Sequence, residues 1–147
     1  DINGTYDKFI GSWKYQDASA NPTEIFEIVF SKKEMHDFSG NYFEDRIYGQ
    51  FRYIKNGQII FNTMYSIDHT STQLINGGYF NDPTNTNKIS LSYKEPGETS
   101  NTRKSRLFLE FVPGNPHKIK WLMEWVPLDD NIPPPKLPTE MLLNKVP

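Results

Sequence analysis

Apolar residues recur at every second position in three stretches: Ile89-Leu91-Tyr93, Leu107-Leu109-Phe111 and Ile119-Trp121-Met123-Trp125. Lys88, Ser90, Ser92 and Lys94, then Arg106 and Glu110, then Lys118, Lys120 and Glu124 fill the gaps. Successive side chains of a strand point to opposite faces, so a period of two predicts strands with one buried face and one wet face. Extended along the chain, alternation and turn residues predict about eight strands. They fall near Ile10–Tyr15, Glu24–Lys32, Asp45–Ile54, Gln58–Phe61, Gln73–Phe80, Lys88–Lys94, Ser105–Val112 and Lys118–Val126. Ile25, Phe26, Ile28, Val29 and Phe30 place apolar groups on both faces of the second strand, which predicts packing on both sides.

Asn56-Gly57 between Tyr53-Ile54-Lys55 and Gln58-Ile59-Ile60-Phe61 is the strongest local signal. Asn and Gly tolerate the positive φ that both central positions of a two-residue hairpin turn require, so strands three and four should pair antiparallel. Gly77-Gly78 predicts a bulge or sharp bend. The prolines of the stretch 127–138, Pro133-Pro134-Pro135 among them, lack backbone donors, so the stretch reads as an extended arm. Beyond it Met141, Leu142, Leu143 and Val146 are apolar, and Thr139 to Val146 should form a short strand or helix turn. That segment is expected to dock on the barrel and pair with the free edge of the first strand. One domain follows, with residues 1–126 as its body and 127–147 as a Pro-rich arm and docking segment.

No segment of normal length has helical period. Strands joined by short turns without crossover helices form an antiparallel meander. Closing the meander removes its exposed edges, so an all-β, up-and-down barrel of about eight strands is favoured, with a sandwich second.

Composition narrows the chemistry. The 147 residues carry 16 basic against 18 acidic side chains, dispersed along the chain, with no basic stripe of the kind nucleic acid needs. There are no cysteines, which removes disulfides and thiolate chemistry. No apolar run approaches the roughly 20 residues of a spanning helix. The 10 Phe, 8 Tyr and 3 Trp offset a low aliphatic content, because each buries a large area.

Catalytic candidates are weak. His36-Asp37 and Asp68-His69 read as surface turns, and His117 as a turn residue beside Pro116. No Gly-x-Ser-x-Gly elbow and no phosphate-cradling glycine loop is present. Glu24, Glu27, Glu44, Asp45, Glu110 and Glu124 could pair across a barrel mouth as glycosidase acids do, or simply form the wet face of the strands. No cofactor and no metal site is expected.

The sequence Phe9-Ile10-Gly11-Ser12-Trp13-Lys14 resembles the Gly-x-Trp opening of lipocalins and related calycin barrels. With Tyr53-Ile54-Lys55-Asn56-Gly57, Lys118-Ile119-Lys120-Trp121 and Leu137-Pro138 leading to Leu143-Asn144-Lys145, the chain looks like a family of small bacterial secreted proteins of unknown function with a lipocalin-like fold. The resemblance implies that Trp13, beside a cramped Gly11, plugs the closed end of the barrel under a basic residue from a late strand. Lys118 and Lys120, or Arg106 one strand earlier, are the residues at hand. It also implies a secreted or periplasmic location, with a lipid anchor upstream of Asp1 as one form of it. It carries no activity.

Phe51, Tyr53, Phe61, Tyr65, Tyr93, Trp121 and Trp125 fall on the parity assigned inward. They could line a pocket for a small apolar or amphipathic molecule in the barrel mouth. They could equally fill a solid core, since small barrels pack their interiors with side chains. The leading functional reading is therefore a non-enzymatic, exported barrel that binds such a molecule in its mouth, and the alternative is a filled barrel serving as a protein-interaction or cell-envelope module.

Overall fold

The computed structural model describes residues 4–37, 40, 43–65, 74–98 and 102–147, and for residues 35–37 and 43 the backbone alone. Nine strands follow a short 3-10 turn at Asp7–Phe9: β1 (Gly11–Gln16), β2 (Glu24–Asp37), β3 (Phe43–Lys55), β4 (Gln58–Asn62), β5 (Ile75–Tyr79), β6 (Lys88–Tyr93), β7 (Arg103–Val112), β8 (Lys118–Pro127) and β9 (Glu140–Lys145). All ladders are antiparallel. The order β2-β1-β9-β8-β7-β6-β5-β3, with β2 also paired to β3, closes the sheet on itself as an eight-stranded up-and-down barrel with one extra strand.

The extra strand has a simple origin. β2 occupies one edge of β3 along its length, and β4 and β5 share the other edge end to end. Asn62 of β4 lies opposite Arg52, Thr63 donates its N–H to the carbonyl of Phe51, and Ile75 of β5 takes up the ladder opposite Gly49. One wall of the barrel is thus a single strand interrupted by the segment 64–74. The hairpin that precedes it forms as expected: Asn56 and Gly57 both have positive φ, with Ile54 opposite Ile59. The Gly77-Gly78 step carries the register shift between β5 and β6.

Strand ends differ from the sequence reading at β2, which runs on to Asp37, so His36-Asp37 lies in a strand and not a turn. Asp68 and His69 fall outside the described residues. The second face of β2 is also wetter than expected: Phe26, Ile28 and Phe30 are buried inside the barrel, whereas Ile25 and Val29 are only half-buried.

Asp17 organises the β1–β2 turn. Its carboxylate accepts from the N–H groups of Ser19, Thr23 and Glu24 and from the Thr23 hydroxyl, at 2.7–3.1 Å, and from the Ser19 hydroxyl. These bonds, the Ser19 hydroxyl first and the Glu24 N–H next, hold its carboxyl well below the usual range. A carboxyl with a folded pKa below its unfolded one stabilises the fold at neutral pH, and that stabilisation is lost as pH falls below the ordinary value of 3.8. Asp17→Asn should therefore melt earlier than wild type at pH 7, with the gap narrowing from about pH 4 down to about pH 2, because the unfolded chain takes up a proton that the folded carboxyl resists. A gap of constant size across that range would show that the charge on Asp17 contributes nothing.

Candidate functional site

The barrel interior is built by parity. At the closed end Trp13 is buried, its Nε1 donating to the carbonyl of Phe9 at 2.8 Å, with Phe111 edge-on at 6.4 Å between centroids. The cation over the indole is Lys145, 4.5 Å from the ring centroid, and not Lys118, Lys120 or Arg106. Lys145 faces inward because β9 sets it opposite Trp13, and its ammonium donates to the carbonyl of Ile10. Burial lowers its pKa. Gly11 fits this arrangement: its φ is +108°, and a Cβ there would meet the Lys145 ammonium at 2.7 Å.

Further up, aromatic rings occupy the lumen. Phe26 meets Trp121 at 5.1 Å and Phe51 at 5.8 Å, and Phe51 meets Phe61 at 6.4 Å and Tyr93 at 6.3 Å. Five of the seven residues that parity places inward as a possible ligand lining, Phe51, Tyr53, Phe61, Tyr93 and Trp121, are buried members of this one core. Tyr53 turns its hydroxyl to Glu24 at 3.0 Å, and burial followed by that hydrogen bond raises its pKa. Tyr65 does not join them: it stands 83% exposed in the turn after β4, where an alternation counted along a strand no longer applies. Trp125 is half-buried.

The proline arm packs against the opposite end. Leu137 is buried, the N–H of Lys136 donates to Glu95 Oε1 at 2.6 Å, and the Lys136 ammonium lies 5.8 Å from the Phe61 ring. Glu95 also pairs with Arg103 at 3.3 Å, and Arg103 lies 3.2 Å from Glu98 and 6.0 Å from the Trp125 ring. These charges are almost completely buried. The β6–β7 register (Ser92 opposite Arg106) predicts them: two further steps inward set Tyr93 beside Ser105 and Glu95 beside Arg103. Parity continued past the apolar run would have placed Glu95, Arg103 and Ser105 inside, a signal the sequence reading passed over. Tyr93 Oη, Ser105 Oγ and Trp121 Nε1 are buried with no hydrogen-bond partner among the described residues.

A concave surface lies outside the barrel. A groove of about 730 Å³ runs over the outer faces of β6 to β9. Its apolar patch is the cross-strand pair Phe108 and Leu122 with Leu142 nearby, at outward positions where polar residues would be usual. One wall is the β5–β6 connection, which folds over Ser90, accepts from its hydroxyl through Asn81 Oδ1 at 3.3 Å, and is tied to Lys8 through Thr86 and Asn87. Glu110, the partner of both Lys88 (3.6 Å) and Lys120 (3.9 Å), lies on the same outer surface.

The other carboxylates considered from sequence are spread out. Glu24 lies near Lys55, Glu27 pairs with Arg52 and Lys14, and Glu44 with Arg46. Asp45 lines a small cleft of about 260 Å³ with Tyr6 and Tyr79. His117 sits in the β7–β8 turn, accepting from the Gly114 N–H at 3.2 Å. Among the described residues no three His, Asp or Glu side chains group as metal ligands, and no helix is long and apolar enough to cross a membrane.

A family model matches residues 1–145. The chain belongs to DUF6705, a family of unknown function. No curated protein and no solved structure matches it. Assignment to this family is in keeping with the resemblance to a family of unknown function, and the barrel is consistent with a lipocalin-like fold.

Proposed function

We propose that this protein is a non-catalytic, exported interaction module: a filled barrel that recognises a partner on its outer surface. The observation that carries the reading is the lumen. Trp121, Phe26, Phe51, Phe61 and Tyr93 are in ring-to-ring contact and Leu137 joins the same buried core, which favours recognition on the outside. The export half of the proposal rests on the resemblance to small secreted lipocalin-like proteins. Fractionation of the native host tests it, and recovery of the protein in the cytoplasm alone would overturn it.

A second reading, an amphipathic small molecule held at the mouth, has one observation in its favour: the hydroxyls of Tyr93 and Ser105, which have no hydrogen-bond partner among the described residues. A buried donor without a partner costs roughly 1–3 kcal/mol. In a filled barrel, then, Tyr93→Phe should leave the unfolding free energy unchanged or raise it by about 1 kcal/mol. Chemical denaturation measures this, and native mass spectrometry of protein from its own host reports any retained molecule. A drop of more than about 1 kcal/mol together with a copurified mass lost in the variant would replace the filled-barrel reading by the ligand-binding one.

A further inference from the structure

The barrel closes unevenly, and its weakest seam opens onto the outer groove. β8 and β9 pair from Lys118–Asn144 through Leu122–Glu140, whereas β1 and β9 pair only at Trp13–Lys145 and Lys14–Asn144. From Glu140 to Leu143, β9 has no ladder partner on the β1 side among the described residues. An open strand edge presents unpaired N–H and C=O groups and is a ready template for another strand. Tyr15 of β1 and Glu140 and Leu142 of β9 line the groove, so this edge forms part of its border.

Three features of the site select the occupant. The open edge favours a polypeptide in extended form, which gains main-chain bonds from β9 and sets alternate side chains on the outer side of the sheet, beside Glu140 and Leu142. The floor is apolar at Leu122 and Leu142, 40% and 43% exposed, beside Phe108. The border is acidic: Asp82, Glu110, Glu124 and Glu140 line the groove against only Lys88 and Lys120, both of which lie near Glu110. Arg106, opposite Glu124, rests on the Phe108 ring at 5.8 Å, leaving Glu140 with no cation opposite it in the β8 ladder.

We propose that this groove binds an extended polypeptide segment of alternating apolar and basic residues, added as a strand to the free edge of β9. The inference rests on the reading of the protein as an outer-surface interaction module and names its partner's chemistry. A peptide alternating Lys and Val tests it, beside a Glu–Val peptide and a Lys–Val peptide with proline at its centre, which lacks a donor for the ladder. The Lys–Val peptide should bind and slow amide exchange within Glu140–Leu143, with at least about 10-fold weaker binding for each of the other two peptides, the difference that 1.4 kcal/mol makes. Leu142→Lys and Glu140→Lys, both on exposed positions, should each weaken it to a similar degree with no change in melting temperature. Equal binding of the acidic or proline peptide, protection elsewhere than β9, or no binding at all would overturn this inference. None of these results touches the filled lumen, which the Tyr93→Phe and mass measurements decide separately.

Discussion

Truncation after Val126 should yield a chain with no cooperative unfolding transition. The segment removed carries β9, which lies between β8 and β1 in the sheet, so the barrel would lose its closure along two edges at once. It also carries Leu137, Met141 and Leu143, three buried side chains. At about 1.5–3 kcal/mol for each fully buried aliphatic side chain, their loss alone is of the order of the 5–15 kcal/mol by which small domains are stable. The cut further leaves Glu95 without the Lys136 N–H and exposes the Arg103–Glu95–Glu98 cluster at the mouth. Circular dichroism on heating provides the measurement. A sharp transition at the wild-type temperature, from a monomer, would mean that residues 127–147 are an appendage and that β8 and β1 can close without them.

The role of this segment shows where sequence reasoning reached and where it stopped. Its apolar residues announced docking, and the free edge of β1 was a reasonable place for it. Insertion between β1 and β8 was out of reach, because alternation specifies which face of a strand is buried and says nothing about which strand lies beside it. β6, β7 and β8 were legible because one wet face imposes a strict period of two, and the 56–57 turn because few residue pairs tolerate positive φ twice. The interrupted wall was not. β4 and β5 each read as independent strands, and only the shared edge of β3 shows them to be one.

The site was less legible than the fold. Parity gathered Phe51, Tyr53, Phe61, Tyr93 and Trp121 correctly inside, yet whether an interior is hollow depends on ring-to-ring distances that no pattern encodes. Tyr65 was misplaced because parity was carried beyond the last paired residue of β4. The outer groove had a faint signature in Leu122 and Leu142, apolar residues on a face that otherwise alternates to polar. The open seam beside it arises from the way β1 and β9 diverge beyond the Lys14–Asn144 pair, toward Glu140, a tertiary effect.

Trp13→Ala should cost roughly 3–5 kcal/mol, the range for deleting a large aromatic from a core. The indole is buried, touches Phe111 edge-on, and satisfies both the Phe9 carbonyl through Nε1 and the Lys145 cation through its face. Removing it leaves a cavity at the closed end and strips the half-buried ammonium of its aromatic partner. Lys145→Met separates these contributions, since it keeps the side-chain bulk while losing the charge and the bond to Ile10. Double-mutant analysis of the two positions should return a coupling of about 0.5–2 kcal/mol, the span of cation–π contacts from exposed to desolvated sites. Trp13→Phe should retain part of that coupling, because a phenyl face still attracts a cation but cannot donate to Phe9. A loss below about 1 kcal/mol for Trp13→Ala would place the indole outside the stabilising core. Full additivity with Lys145→Met would instead leave the plug intact and reduce the lysine above it to a spacer.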